Sequence, residues 1–211
     1  MLSRRVLLSL ILLLSSWDLR AEMPWLEIAH RISEYAAKPS PTTAIAALNV
    51  IPKTSVSFTH SREESKANDI IYAPGPMQVL EQRVLMKERE SVELAFRMRH
   101  IADGAFLEDL DIILGKLIRV DPELFLSELQ RARVPPRAMD GLVGNLGDAY
   151  VDQMERQCKE MRLRRQTLNR VLRQSLVQTK GQAITALAAD SSFCQDAQPG
   201  TSGGVPQSAR P

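Results

Sequence analysis

The amino-acid sequence predicts an all-α fold. Of its 211 residues, 44% are hydrophobic but only 5% are aromatic, a composition that favours helices over a β-sandwich or barrel. Apolar residues recur at helical spacing over most of the chain, and prolines or glycines separate the resulting segments. The most apolar internal stretch, residues 101–125, contains a helix whose apolar face is too wide for a single neighbour. We therefore predict an irregular multi-helix array or bundle around this central helix.

Residues 1–21 predict a cleaved signal peptide. A basic start is followed by an apolar run and then by polar residues ending at Ala21. The apolar run, about ten residues long, is well short of the roughly 20 residues that a membrane-spanning helix needs, which argues against the alternative of an uncleaved anchor. Arg4 and Arg5 also leave the twin-arginine route open beside general export. We expect a periplasmic or secreted protein, and a bacterial source is assumed.

The mature chain is expected to be formally neutral. Residues 1–21 carry three Arg and one Asp, so their removal lowers Lys+Arg from 27 to 24 and Asp+Glu from 25 to 24. A neutral chain has no general attraction for polyanions. We therefore predict no nucleic-acid partner and, at most, a peripheral association with membranes.

Residues 22–75 predict short helices followed by a linker. Apolar side chains at helical spacing predict a helix from Met23 to Ala37, and an alanine-rich segment predicts another from Thr42 to Asn49. Residues 52–76 have local strand character at 56–59 and 70–72. Because an isolated two-stranded ribbon is weakly stable, a linker or loop is favoured there over a hairpin.

Residues 76–194 predict the main helical domain. Asp103-Gly104 ends one helix, and the central helix follows at about 105–119. Asp121-Pro122 is a capping residue followed by a proline, which starts the next helix at once. A long helix is expected at about 148–177, and the Pro, Gly, Ser and Gln content of residues 195–211 predicts a disordered tail. Apolar residues in a 4-3 alternation are expected to form a seam along the long helix, which Arg165 interrupts: Val151, Met154, Cys158, Met161, Leu168 and Leu172.

The helical pairs between Met77 and Leu146 resemble those of HEAT-type solenoids. This resemblance covers about a third of the chain. The motif Asp-Gly-Ala-Phe-Leu-Glu-Asp-Leu at residues 103–110 occurs once, whereas a solenoid stacks several repeats. The resemblance implies HEAT-like helical pairs and carries no function.

Cys158 and Cys194 are the only cysteines in the chain. In an exported protein, two cysteines favour one disulfide bond. If the chain reverses near Lys180, the returning helical and extended residues are long enough to bring Cys194 within reach of Cys158. The alternative is that Cys158 is a free, buried thiol on the apolar side of the long helix.

Acidic residues gather around the start of the central helix. Glu108, Asp109 and Asp111, with Asp103 nearby, raise the alternative of an enzyme with a carboxylate metal site. Their spacing matches no calcium loop, and a helix N-terminus favours acids through its dipole. We predict no metal site from them.

No other pattern indicates catalysis. The three histidines lie in separate segments without metal-ligand spacing. Nucleophile elbows, phosphate loops and dinucleotide motifs are absent from the sequence. We therefore predict no catalytic residue and no cofactor; the histidines are His30, His60 and His100.

The long helix is expected to carry a basic face. Acids on the same helix partly neutralise it, which favours an ordinary solvated face. The alternative is that this face docks a partner, and the absence of aromatic residues among its cations argues against base stacking. The predicted docking residues are Arg156, Lys159, Arg162, Arg164, Arg165, Arg170 and Arg173.

These observations favour a non-catalytic, exported interaction or structural module. Its protein partner is unidentified, and the basic face or a groove between helical pairs is the expected contact surface. Two alternatives remain: an enzyme with a carboxylate metal site, and a peripheral membrane protein held by the basic face.

Overall fold

The computed structural model describes residues 23–190 and Cys194, and every regular element within them is helical. The prediction of an all-α fold is confirmed. The predicted signal peptide and the predicted disordered tail lie outside the described residues. The α-helices are α1 (Trp25–Ala37), α2 (Pro41–Val50), α3 (Arg62–Ile71), α4 (Pro74–Leu85), α5 (Arg89–Met98), α6 (Gly104–Val120), α7 (Pro122–Arg131), α8 (Met139–Gly144), α9 (Met154–Asn169) and α10 (Val177–Asp190).

Helix α6 is the central helix that the sequence predicts. Leu110, Leu114, Leu117 and Ile118 are fully buried on it, and it packs against α4, α5, α7, α8 and α9. Neighbours on several sides explain why its apolar face is so wide. A single hydrophobic core extends from α1 to α10.

Helix α7 follows α6 without a loop, as predicted. The side chain of Asp121 accepts a hydrogen bond from the backbone N–H of Leu124, at 3.0 Å, and Pro122 occupies the first helical position. The cap satisfies an N–H that has no partner inside the helix, and the proline loses no hydrogen bond there. The chain can therefore change direction within one residue.

Helix α3 lies where the sequence favoured a linker. The buried carboxylate of Glu64 accepts hydrogen bonds from the backbone N–H groups of Thr59 and His60, each at 2.9 Å. Ala67 and Ile71 are fully buried on a helix that packs against α1. Burial thus outweighs the local strand preference of residues 70–72, because an apolar stripe against α1 forms only in a helix.

The predicted long helix at 148–177 is wrong, because the chain reverses inside it. Helix α9 ends at Asn169, and α10 begins at Val177 and continues through Gly181. The buried side chain of Val171 and the hydrogen bond from Lys180 Nζ to its carbonyl, at 2.8 Å, hold the turn between them. The reversal allows α10 to pack against α8, which local propensity does not reveal.

The buried side of α9 also differs from the expected apolar seam. Its buried residues are Cys158, Met161, Arg164 and Leu168, so the position expected for Arg165 is taken by Arg164. Other expected members of the seam lie outside the helix or in its first turn, where they face solvent: Val151, Met154 and Leu172.

Candidate docking surfaces

The acidic residues near the start of α6 do not assemble into one site. Glu108 and Asp109 are exposed and line an open groove beside α8. Asp111 is buried and faces Arg99 instead, with 2.6 Å between Arg99 Nε and Asp111 Oδ1. Burial raises the pKa of Asp111, while the hydrogen bond and charge of Arg99 act in the opposite direction. Asp111 is therefore an ion-pair partner, and the helix dipole does not account for its position.

Within residues 23–190, no group of three or more His, Cys, Asp or Glu side chains is arranged to hold a metal ion. The three histidines lie apart, on α1, before α3 and after α5. The carboxylate alternative thus has no assembled ligand set in the described part of the chain.

Arg164 does not belong to the docking face, because it is buried. Its Nη1 atom donates hydrogen bonds to the carbonyl oxygens of Val143, at 2.7 Å, and Asn145, at 3.3 Å, and its Nε atom lies 3.5 Å from Glu160. Burial lowers the pKa of Arg164, and Glu160 opposes that shift. Arg164 therefore joins α9 to the end of α8.

The other six predicted cations are exposed, but they form two groups. Arg156 lies near the start of α9, with its Cζ atom 5.2 Å from the centre of the Tyr150 ring, and the exposed Lys159 follows. Asp152 lies four residues before Arg156, and Glu155 lies four residues before Lys159. The remaining arginines lie in the second half of α9 and on the turn that follows it.

This second group forms what we call the basic turn: Arg162, Arg165, Arg170, Leu172 and Arg173. None of its arginines has an ion pair within the described residues, and residues 161–189 contain no Asp or Glu. Leu172 is 87% exposed, more than any other large hydrophobic side chain described. The sequence analysis expected Leu172 on the buried seam of the long helix and so missed it as an exposed surface residue. The nearby Arg170 and Arg173 were the sequence signal for exposure.

Cys158 and Cys194 lie at disulfide distance, with their sulfur atoms 2.13 Å apart. Most of α9, the basic turn and α10 lie between them in the chain. The chain reverses at residues 170–173 rather than near Lys180, which brings the two cysteines together. A bond between them closes the loop that carries the basic turn.

Replacing Cys194 by serine is expected to lower the free energy of unfolding by about 3–4 kcal/mol, because the bond joins residues separated by 36 positions and so restricts a long loop in the unfolded chain. Urea denaturation under oxidising conditions measures the loss. A reductant should lower the wild-type stability to that of the variant and leave the variant unchanged. Equal stabilities of the two oxidised proteins would contradict this role.

No helix in the described residues combines the length and apolar character needed to cross a bilayer. Comparisons with protein families, curated protein sequences and solved structures give no match for this chain.

Proposed function

We propose that the protein is an exported, non-catalytic interaction module that docks an acidic surface of a partner protein through the basic turn. The observation that carries this proposal is the exposure of Leu172 beside four arginines that have no acidic partner in the described residues. An exposed leucine is unfavourable in the free protein, and arginines without ion pairs add little to its stability. Both features become favourable on contact with a complementary surface.

Leucine and arginine have different roles in such a contact. Full burial of Leu172 in a pocket of the partner contributes about 2 kcal/mol. The planar guanidiniums of Arg165 and Arg170 can each bind a carboxylate through two parallel hydrogen bonds. An apolar centre with a polar rim is the usual arrangement of a protein–protein interface, and arginine is enriched among the residues that contribute most to binding.

An anionic membrane is the second candidate, because Leu172 could also enter a bilayer. Insertion of Leu172, together with attraction of the four arginines to anionic headgroups, would contribute a favourable binding free energy of about 6 kcal/mol. That is close to the affinity of a single myristoyl chain, which binds membranes only marginally and reversibly. We therefore favour the protein partner.

Export is proposed on two observations from the chain itself. The first 21 residues have the layout of a signal peptide. Cys158 and Cys194 lie at disulfide distance, and disulfide bonds persist mainly in oxidising compartments outside the cytosol.

Photo-crosslinking from position 172 tests the proposal in cells that export the protein. A photoreactive amino acid in place of Leu172 is expected to give a discrete crosslinked partner whose contact peptide is rich in Asp and Glu. Met86 supplies a matched control, because it is 67% exposed on a turn whose neighbours carry charges of both signs. The Arg165→Glu and Arg170→Glu substitutions should each reduce the product severalfold.

Equal products from positions 172 and 86, or a product insensitive to both charge reversals, would contradict docking through the basic turn. Vesicles of anionic and of zwitterionic phospholipid test the second candidate. Sedimentation with anionic vesicles alone, lost in the Arg165→Glu variant, would favour the membrane over a protein partner.

A further inference from the structure

A second basic surface surrounds a groove with a volume of about 820 Å³. Its walls are residues 53–58, the end of α5 with the turn that follows it, and residues 131–138 at and after the end of α7. Protein pockets for small organic ligands usually enclose about 300–1,000 Å³. We call it the arginine groove, after the cations that line it: Lys53, Arg97, Arg99, Arg131, Arg133 and Arg137.

Three of these cations are neutralised by carboxylates of the protein itself. Arg97 lies 3.4 Å from a carboxylate oxygen of Glu93. Arg131 lies 2.6 Å from Glu93 and 3.2 Å from the buried Glu128, which also lines the groove. Arg99 is paired with the buried Asp111. These guanidiniums hold α5, α6 and α7 together, and their charges are largely unavailable to a ligand.

The other three cations are not neutralised. Their side chains are exposed and have neither a hydrogen bond nor an ion pair within the described residues: Lys53, Arg133 and Arg137. Burial and two neighbouring arginines lower the pKa of His100 on the same wall. Its imidazole is therefore mostly uncharged at neutral pH. The groove therefore has about three positive charges in excess, divided between two of its walls.

Apolar side chains also line the groove. Phe96 and Val134 are buried, and Val56, Phe58 and Leu107 are half-buried. Cations without partners beside an apolar lining match a molecule that has an anionic end and an apolar body. A simple inorganic anion would leave the apolar lining uncovered.

The backbone at Arg133 gives a separate reason to assign a role to its side chain. Arg133 has φ 51° and follows Ala132, the C-cap residue of α7. At this helix end the N–H of Val134 donates to the carbonyl of Leu129, at 3.4 Å. This left-handed position in a helix-ending motif is usually glycine, and an arginine is strained there. The fold would therefore be served better by glycine than by arginine.

We propose that the arginine groove binds a small amphipathic organic anion. Its acidic head contacts Arg133, Arg137 and Lys53, and its apolar body covers Phe58 and Val134. This site is separate from the basic turn and does not depend on the function proposed for that surface.

Isothermal titration calorimetry of the full chain with octyl sulfate, below its micelle concentration, tests the proposal. We expect a dissociation constant of about 1 mM or tighter for a ligand of this size. Two ligand controls carry one half of the molecule each: 1-octanol lacks the charge, and inorganic sulfate lacks the apolar body. Both are expected to bind at least tenfold more weakly, about the effect of losing one good contact.

Two variants locate the site. Arg133→Gly is expected to weaken octyl sulfate binding about tenfold while melting at or above the wild-type temperature, because it relieves the left-handed strain. Misfolding would move stability and affinity in the same direction and cannot produce this result. Arg137→Ala should weaken binding similarly, and Arg165→Ala on the basic turn should leave it unchanged.

Three results would overturn the proposal: wild-type affinity in Arg133→Gly and Arg137→Ala, equal affinity for 1-octanol, or equal affinity for inorganic sulfate. A hexaglutamate peptide that binds more tightly than octyl sulfate would assign the groove to acidic peptides instead. Crosslinking from position 172 should be unaffected by Arg133→Gly, so failure at one surface is distinguishable from failure at the other.

Discussion

Replacing Arg99 by methionine is expected to lower the free energy of unfolding by about 3–5 kcal/mol at neutral pH. The side chains of Arg99 and Asp111 are only 9% and 8% exposed, so the variant leaves a carboxylate buried without its counter-charge. The carbonyl of Ala138 loses a donor as well, because Arg99 Nη2 lies 3.4 Å from it. Methionine replaces much of the apolar stem, so the loss of charge dominates the effect.

The destabilisation should depend on pH in a defined direction. Burial raises the pKa of Asp111 and Arg99 lowers it, so removing Arg99 raises that pKa further. When a carboxyl group has a higher pKa in the folded state than in the unfolded state, the free energy of unfolding falls as the pH rises from the unfolded pKa towards the folded pKa. The gap between variant and wild type should therefore be largest near neutral pH and narrow as Asp111 becomes protonated in acid.

Urea denaturation of both proteins at about pH 7.5 and about pH 5 measures this gap. Arg97→Met is the matched control, because the carboxylate that it leaves behind, Glu93, is 28% exposed and keeps Arg131 as a partner. Its loss should be about 1 kcal/mol. The interpretation would be contradicted by a gap that widens in acid.

Replacing Arg164 by methionine is the second large effect, with an expected loss of about 3–4 kcal/mol. Val143 and Asn145 would each lose a hydrogen-bond donor to their carbonyl groups. Glu160 would still have Arg119, at 3.2 Å, so the loss comes mainly from the two orphaned carbonyls. Arg165→Met, one residue away and exposed, should change stability by no more than about 0.5 kcal/mol.

Gly115 provides a further check on this cluster. A Cβ atom at position 115 would lie 2.8 Å from Arg164 Nη1 and 2.9 Å from the carbonyl oxygen of Leu142. Gly115→Ala alone should cost about 1–3 kcal/mol through this overpacking. In the Arg164→Met background one of the two clashes is gone, so the cost should be smaller. Strictly additive losses in the double variant would show that the guanidinium does not fill this space.

Features set by neighbouring residues could be predicted from the sequence. The central helix α6 follows from its apolar spacing, and the start of α7 follows from Asp121-Pro122. The capping hydrogen bond joins Asp121 to Leu124, only three residues further along the chain. The cysteine pair could be judged from chain length because only one pairing exists. Each of these requires no knowledge of which helices become neighbours.

Features set by tertiary contacts could not be predicted in the same way. The turn between α9 and α10 contains no proline or glycine, and it forms because α10 gains a partner in α8. Arg164 and Arg165 are equivalent by composition, and only the carbonyls at the end of α8 select Arg164 for the interior. The sequence offers no local signal for that choice.

Of these features, the arginine groove was the hardest to predict from the sequence. Lys53, Arg97 and Arg133 belong to three segments separated by more than 30 residues, and each looks like an ordinary surface cation. Only the left-handed φ of Arg133 marks one of them as unusual, and backbone angles of that kind are not visible in a sequence without glycine.

The contact between Gly115 and Arg164 also constrains how this sequence can diverge. While the guanidinium occupies the space above position 115, any side chain there meets it at 2.8 Å. Either single substitution gives a destabilised intermediate, because alanine at 115 meets the guanidinium and loss of Arg164 leaves two carbonyl groups without a donor. The two substitutions are thus expected to be coupled: each lowers the cost of the other by the same amount, even though the residues lie 49 positions apart in the chain.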